Sequence, residues 1–225
     1  MTIINQGTGI PLVYLDLNAI LDVVSAIIGF SVSYVSFKYN RLIQETVLNY
    51  ISMGFALLGI GLLMQGVLML LFAFNLFEFP GDYRLSYTSS VFYLILQLIS
   101  YAIIAIGYSK ETYWPKESLA LPLAYVLFKK KQYFLLRTFI FDASQLIIIF
   151  FLAFIVFLGF LVHSRDKKTF SLLVLISFSL MLISHIGFLF SSLAFSEYYY
   201  VISNTVQFVG FLMLLVFLIR SGHIG

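Results

Sequence analysis

The chain has 225 residues, of which 61% are hydrophobic and 10% are charged. Because a soluble domain carries about 25% charged residues, this composition excludes a water-soluble protein and indicates one that is embedded in a lipid bilayer. The net charge of +3 is too small to indicate a nucleic-acid partner. The absence of cysteine excludes disulfides and cysteine-based metal centres, and no motif predicts a cofactor.

The first half of the chain contains three apolar segments that are long enough to cross a membrane. They cover residues 18–37, 47–74 and 89–109. Apolar runs of this length, without the alternation of a barrel strand, are typical of helices, because a helix satisfies its own backbone hydrogen bonds in lipid. We therefore predict three membrane-spanning helices in this half.

The second half contains three more such segments, at residues 139–162, 170–195 and 199–219. In both halves, the first and third segments are followed by basic residues, as expected for spans that end in a loop. These residues are Lys38 and Arg41, Lys110, Arg165 and Lys167, and Arg220.

The segment between the halves is harder to interpret. Residues 119–128 are apolar but shorter than the stretch of about 20 residues that a span usually needs. They are followed by Lys129, Lys130 and Lys131. If this segment crosses the membrane, the chain has seven spans; if it lies on the membrane surface, the chain has six.

Residues 16–110 and 142–222 read as one three-span unit that occurs twice. Small and polar residues coincide when the two units are aligned, which apolar composition alone does not produce. The coincident pairs are Asp16 and Asp142, Asn18 and Ser144, Ser52 and Ser177, Gly59 and Ser184, Gly66 and Ser191, and Gln97 and Gln207. We therefore predict a tandem internal duplication.

Basic residues also coincide, since Arg41 aligns with Lys167 and Lys110 aligns with Arg220. Because Lys and Arg concentrate in cytoplasmic loops, equivalent charges indicate that both halves point the same way. Two parallel three-span units need one further crossing between them. We therefore predict an all-α bundle of seven transmembrane helices in a 3+1+3 parallel repeat. Six helices in a 3+3 inverted repeat are the alternative.

The seven-helix arrangement divides the chain into three parts. Residues 1–110 form the first three-helix unit, residues 111–138 form a linker with the short fourth helix, and residues 139–225 form the second unit. We expect a multi-pass protein of the cell membrane with its N-terminus outside and its C-terminus in the cytoplasm. This orientation puts the larger share of Lys and Arg inside.

Two spans carry small residues on one helix face. Steps of three, four and seven residues place side chains on a common face, and small side chains let helices approach closely in lipid. These residues are Ser52, Ala56, Gly59 and Gly66 in the second span and Ser177, Ser184 and Ser191 in its counterpart. We predict that they pack helices within the bundle; a sliding surface between the two spans is the alternative.

Polar side chains within the spans mark a candidate ligand-binding site, since such side chains usually face the bundle interior. Gln97 shares a helix face with Tyr93 and Tyr101. Gln207 follows Asn204 by about one helical turn. We predict a polar pocket between the halves; hydrogen bonds that merely link helices are the alternative.

His185 is the one histidine well inside a predicted span. Haem held by two axial histidines would need a partner at similar depth, and a metal centre needs more ligands than one imidazole. We therefore predict no metal site. His185 is included in the candidate ligand-binding set with the five residues just named, although a hydrogen-bonded packing role is the alternative.

Asp16, Asp22 and Asp142 lie near the outer ends of their spans. Asp16 and Asp142 coincide in the repeat, so that this pair of carboxylates could bind a cation or a proton. The alternative, which we prefer, is that the carboxylates are favoured by the dipole at helix N-termini.

The sequence YVSFKYNR from Tyr34 to Arg41, followed by SMGFALLG from Ser52 to Gly59, resembles an uncharacterised family of small archaeal membrane proteins with three spans. The third span, with LQLISY at 96–101, is similar to the end of that family's sequence. The resemblance implies an archaeal origin and a tandem duplication of the family's unit. It implies no activity and no functional residue.

No glycine-rich phosphate loop, Ser-His-Asp arrangement or deep pair of carboxylates is present, so we expect no catalytic site and no enzyme. We predict that the protein senses a signal or couples to a partner in a membrane complex, because its loops form no output domain. A membrane-protein partner or a second copy of the chain is then expected. The alternative is a transporter of a small solute, with a polar midplane site between the repeats.

Overall fold

The computed structural model describes residues 12–74, 82–111, 133–166, 169–194 and 196–221. These residues form six α-helices and no strand. The helices are α1 (Leu12–Ile43), α2 (Thr46–Ala73), α3 (Asp82–Glu111), α4 (Tyr133–Asp166), α5 (Thr169–Ala194) and α6 (Glu197–Ser221). Each contains an apolar stretch that is long enough to cross a membrane. The chain is therefore an all-α, polytopic membrane protein, as its composition predicts.

The helices extend beyond the predicted spans. The first predicted span covers residues 18–37, whereas α1 runs from Leu12 to Ile43. A helix can continue past the apolar core of the membrane because its backbone bonds also form at the interface. α1 stops where Gln44 adopts the left-handed conformation, with φ 59°, and the Gln44 N–H donates to the Asn40 carbonyl at 2.9 Å.

The structure describes six helices, which is the number in the alternative prediction. The predicted fourth span, at residues 119–128, lies outside the described residues. α4 begins at Tyr133, so this helix starts within the predicted linker 111–138 and not at residue 139. The residues YFLL at 133–136 are apolar enough to continue the helix toward its N-terminus.

The six helices form a closed ring. Each helix packs against its neighbours in the chain, and α1 packs against α6. Side chains fill the centre: the Phe55 ring of α2 meets the Phe178 ring of α5 edge to face, with centroids 6.5 Å apart. The same Phe55 ring lies 5.5 Å from the ring of Phe211 on α6. We call these three phenylalanines the aromatic layer.

Contacts between α3 and α5 show which way the helices run. Tyr101 on α3 contacts His185 on α5. Further along α3, Tyr108 contacts Phe178, which precedes His185 on α5. These two helices are therefore antiparallel. α4 is also antiparallel to α5, since Gln145 bonds to His185 and, further along α4, His163 bonds to Ser171, which precedes His185 on α5. α3 and α4 consequently run in the same direction.

A second contact gives the same result for the other junction between the halves. Asn204, near the start of α6, bonds to Asn18 and Asp22, near the start of α1. α1 and α6 therefore run in the same direction as well. The three helices α1–α3 and the three helices α4–α6 are two halves with the same orientation.

One end of the ring carries the ends of α1, α3, α4 and α6 and the starts of α2 and α5. Residues from all six helices line one cavity there. The Lys and Arg residues whose side chains the structure describes all belong to this end, which we call the basic end, whereas Arg84 and Arg137 belong to the starts of α3 and α4 at the other end. The described Lys and Arg side chains are Lys38, Arg41, Lys110, Arg165 and Arg220. The other end of the ring is called the opposite end.

The predicted small-residue face of α2 packs against α1. A Cβ atom added to Gly59 would lie 3.3 Å from the Ala26 carbonyl oxygen. A Cβ atom added to Gly66 would lie 3.0 Å from the Ala19 carbonyl oxygen. The glycines thus let two neighbouring helices of one half approach closely. They do not form the alternative surface between the second span and its counterpart.

The remaining small residues have mixed environments. Ser52 also faces α1, because its Oγ lies 3.3 Å from Ser33 Oγ, whereas Ala56 is only half-buried. The predicted serines of α5 are all buried, and they are Ser177, Ser184 and Ser191. Ser177 faces α6, since its carbonyl oxygen would lie 3.2 Å from a Cβ on Gly210.

We expect Gly66→Ala to lower the stability of the protein by about 1–3 kcal/mol, as overpacking does in other cores. The new Cβ would lie 2.8 Å from a methyl group of Val23 and close to backbone, which cannot move aside easily. Thermal unfolding in detergent measures the loss. Gly159→Ala is the matched control, since its nearest neighbour would be a Leu175 methyl group at 3.4 Å. Equal melting temperatures for the two variants would contradict the close packing of α2 on α1.

Candidate binding site in the bundle interior

Polar side chains are concentrated inside the ring, in the half nearer the opposite end. Polar groups at membrane depth gather in the interior because lipid offers them no partner. The buried ones come from all six helices: Asn18 and Asp22 (α1), Gln65 (α2), Gln97 (α3), Gln145 (α4), His185 (α5), and Asn204 and Gln207 (α6). Together with Tyr93, Tyr101 and Tyr200, we call them the polar cluster.

His185 joins three helices through both of its ring nitrogens. Its Nδ1 lies 2.7 Å from Gln145 Oε1 on α4. Its Nε2 lies 3.2 Å from Gln97 Nε2 and 3.3 Å from the Tyr101 hydroxyl, both on α3. Because an amide oxygen only accepts, Nδ1–H donates to Gln145, and Nε2 accepts from Gln97 or Tyr101. One neutral tautomer therefore satisfies this fully buried imidazole.

Tyr101 links the two glutamines that the sequence predicts as a pair. Its hydroxyl lies within hydrogen-bonding reach of both Gln97 and Gln207. The Tyr93 hydroxyl also lies within reach of Gln207. The two tyrosines of α3 thus connect the first half of the bundle to α6 of the second half.

Asn204 closes the ring between α6 and α1. Its Nδ2 donates to Asn18 Oδ1 at 3.3 Å and to Asp22 Oδ1 at 3.1 Å. All three side chains are buried. Because the bond joins an amide to a carboxylate away from water, it is stronger than a bond between two neutral groups at the surface.

Tyr200 connects this part of the cluster to His185. Its hydroxyl lies within hydrogen-bonding reach of Gln65 and close to Asp22. Its ring centroid is 5.0 Å from that of Phe188, and the Phe188 ring lies 5.5 Å from the imidazole of His185. Tyr200 and His185 therefore pack against the same phenylalanine ring in the interior.

Two amide atoms in the centre of the cluster have no hydrogen-bond partner among the described residues. They are Gln97 Oε1, an acceptor, and Gln207 Nε2, a donor. A buried polar group without a partner costs about 1–3 kcal/mol, so these atoms favour a bound molecule that can pair with them. The arrangement can bind water or a small solute that both donates and accepts hydrogen bonds.

A cavity of about 210 Å³ lies at the basic end. Its walls are mainly apolar, with Glu45 and Ser171 among the few polar residues. Phe178, a member of the aromatic layer, forms part of its lining. The aromatic layer therefore lies between this cavity and the polar cluster.

The six residues of the predicted ligand-binding set all belong to the polar cluster. They are Tyr93, Gln97, Tyr101, His185, Asn204 and Gln207. Contact among these side chains does not test binding, so their role as ligand-binding residues stays a prediction. The predicted ligand-binding set lacks Gln145 and Asn18, although an amide inside an apolar span itself indicates a position in the bundle interior.

The helix-dipole interpretation of Asp22 is wrong. α1 begins at Leu12, so Asp22 lies beyond the first turn, where the dipole effect has faded and backbone N–H groups are already bonded. The side chain instead bonds to Asn204 inside the bundle. Of the predicted carboxylate pair, the Asp16 side chain lies outside the described residues. Asp142 has an oxygen without a hydrogen-bond partner in the described part of the chain.

No group of three His, Cys, Asp or Glu side chains that could hold a metal ion occurs among the described residues. The chain matches no protein-family model, no curated protein and no solved structure. The geometry of the polar cluster is therefore the basis for a functional proposal.

Replacing His185 with alanine should destabilise the protein, because Gln145 Oε1 and Gln97 Nε2 would lose a buried partner. Each buried polar group left unpaired costs about 1–3 kcal/mol, which thermal unfolding in detergent can detect. His163→Ala is the control: this half-buried histidine near the basic end bonds to Ser171 at 2.9 Å, so we expect a smaller loss. Equal losses would show that the cluster adds no special stability.

Proposed function

We propose that the protein transports a small, uncharged polar solute, which binds in the polar cluster. The observation that carries this proposal is the buried pair of unpartnered amide atoms, Gln97 Oε1 and Gln207 Nε2. Together they offer an acceptor and a donor without a charge, which suits the hydroxyl or amide groups of a solute. Many secondary transporters bind their substrate in this way, near the midplane and between two halves.

The cavity at the basic end supports a route to the polar cluster. It is lined by residues of all six helices and is bounded on the inside by Phe178. The aromatic layer then separates a solute in the cavity from the cluster. Edge-to-face ring contacts are worth only about 0.5–1.5 kcal/mol each beyond their burial, so movement of these rings can open the route.

The positions of the hydrogen bonds support an opening of the bundle at the basic end. The bonds of Asn204 to α1 and of His185 to α3 join the two halves near the opposite end. Near the basic end, by contrast, Lys110 bonds to Tyr50 within the first half, and His163 bonds within the second half. The two halves can therefore separate at the basic end while the bonds at the opposite end keep the cluster closed.

We also propose that the chain crosses the membrane seven times. α3 ends at the basic end and α4 begins at the opposite end, so the chain between Glu111 and Tyr133 has to connect the two ends. This supports a crossing by the predicted fourth span, residues 119–128, in a 3+1+3 parallel arrangement. With the basic end in the cytoplasm, as the distribution of Lys and Arg favours, the N-terminus lies outside and the C-terminus inside. Tandem duplication of a three-span unit accounts for this plan.

Single cysteines can test this topology, because the chain contains none. We expect Lys130→Cys to react with an impermeant maleimide from outside intact cells, since a fourth crossing would bring it to the outer side. Tyr198→Cys, exposed at the start of α6, should react in the same way. Lys38→Cys, exposed at the basic end, should react only after lysis. If Lys130→Cys instead reacts only after lysis, as Lys38→Cys does, the fourth crossing does not exist.

Liposomes that contain only the purified protein should pass at least one of glycerol, urea, erythritol and a monosaccharide, measured by light scattering after osmotic shock. Combining Gln97→Ala with Gln207→Ala should slow the transported solute roughly tenfold, since each change removes a hydrogen bond worth about 0.5–1.5 kcal/mol. Thr205→Ala is the control, because Thr205 is exposed on α6 and bonds to the Val201 carbonyl. An unchanged rate in the double variant would show that the transported solute does not bind to Gln97 and Gln207 of the polar cluster.

A sensing or partner-coupling subunit of a membrane complex is the second candidate, and α4 favours it. Only 22% of the α4 span is buried, against 39% to 44% for the other five spans. A helix that packs so little within its own chain has a face available to a membrane-protein partner or a second copy. If the liposomes pass none of the solutes, transport by the chain alone is rejected and this second function takes its place.

A further inference from the structure

We infer that Asp22 and the oxygen atoms around it form a binding site for a monovalent metal cation such as sodium. This site lies between α1, α2 and α6, apart from the pair of amide atoms proposed to bind the solute. Its existence does not depend on transport, and its test uses no solute.

Several buried oxygen atoms around Asp22 lack a hydrogen-bond partner among the described residues. A single donor group, Asn204 Nδ2, is shared between Asp22 Oδ1 at 3.1 Å and Asn18 Oδ1 at 3.3 Å. Three further oxygens have no hydrogen-bond partner among the described residues, and they are Asp22 Oδ2, Ser25 Oγ and Gln65 Oε1. A cation bound among these oxygens would pair with atoms that are otherwise left without a partner.

These oxygens come from adjoining positions in the bundle. Asn18, Asp22 and Ser25 are separated by steps of four and three on α1, so they share one face of that helix. Gln65 precedes Gly66, whose added Cβ would lie 3.0 Å from the Cβ of Asp22. Asp22 is 3% exposed and Gln65 is 6% exposed, so water from the surface does not reach the oxygens freely.

Electrostatics also favour a cation at Asp22. A carboxylate inside a membrane is costly unless a positive charge accompanies it. The Lys and Arg side chains that the structure describes lie at the basic end, far from the start of α1, and Arg84 and Arg137 belong to α3 and α4, which do not pack against α1. The other titratable groups near Asp22 are the hydroxyls of Tyr93 and Tyr200, which carry no positive charge. A metal cation bound there would supply a positive charge beside the carboxylate.

The oxygen atoms that would coordinate the cation indicate its class. Calcium takes six to eight oxygens, usually with several carboxylates, and softer metals prefer imidazole or thiolate ligands. Asp22 supplies one carboxylate, and its neighbours supply neutral amide and hydroxyl oxygens. One negative charge among hard oxygen ligands suits a cation with one positive charge.

Thermal unfolding of the purified full-length protein in detergent tests the site, with sodium chloride replaced stepwise by choline chloride at constant ionic strength. Once sodium exceeds its dissociation constant, each further tenfold increase should lower the unfolding equilibrium constant about tenfold, because the ion binds only the folded state. The melting temperature should rise accordingly, and choline should not reproduce the rise.

Asp22→Asn should abolish the sodium response, and Asp142→Asn should keep it, since Asp142 lies on α4 away from the site. If Asp22→Asn does not fold, Ser25→Ala and Gln65→Leu each remove one oxygen and should shift the response to roughly tenfold higher sodium. A melting temperature that is independent of sodium, or a full response in Asp22→Asn, would overturn the proposal. A dependence on pH that requires Asp22 without any effect of sodium would also overturn it, because the site would then bind a proton.

Discussion

The structure depends on one constraint: inside a lipid bilayer, polar side chains must find their partners within the protein. Each of the six described helices contributes at least one buried polar side chain to a single cluster. Because each contact needs a particular side of a helix to face inward, the cluster fixes the rotation of all six helices. His185 and Asn204 make the contacts at the two junctions between the halves. Apolar packing alone would leave these junctions weakly defined, since lipid chains compete with apolar side chains.

The positions of the six described helices could be predicted from the sequence, because membrane thickness imposes a minimum length on each apolar segment. Polar residues such as Gln97 and Gln207 could be placed in the interior by the same reasoning. Their partners could not be predicted, since these depend on the order of helices around the ring. The bond between Gln145 on α4 and His185 could not be predicted for this reason, because it depends on the two helices lying side by side.

The packing partners of the small-residue faces also could not be predicted from the sequence. Their spacing predicts a helix face that packs closely, but the spacing contains no information about which helix it meets. Gly59 and Gly66 meet α1, their neighbour in the chain, and not the corresponding helix of the second half. The role of Asp22 was misinterpreted because its position near the start of a span suggested an interaction with the dipole of its own helix. Its actual partner, Asn204, is distant in sequence and adjacent only in the closed ring.

The two ends of the bundle differ in how the two halves are joined. Near the opposite end, hydrogen bonds tie the halves together, whereas at the basic end a cavity of about 210 Å³ lies between helices of both halves. Lateral pressure from the lipids around the basic end can therefore narrow the molecule by closing this empty volume. The lipid composition of the leaflet around the basic end can thus change the width of the cavity.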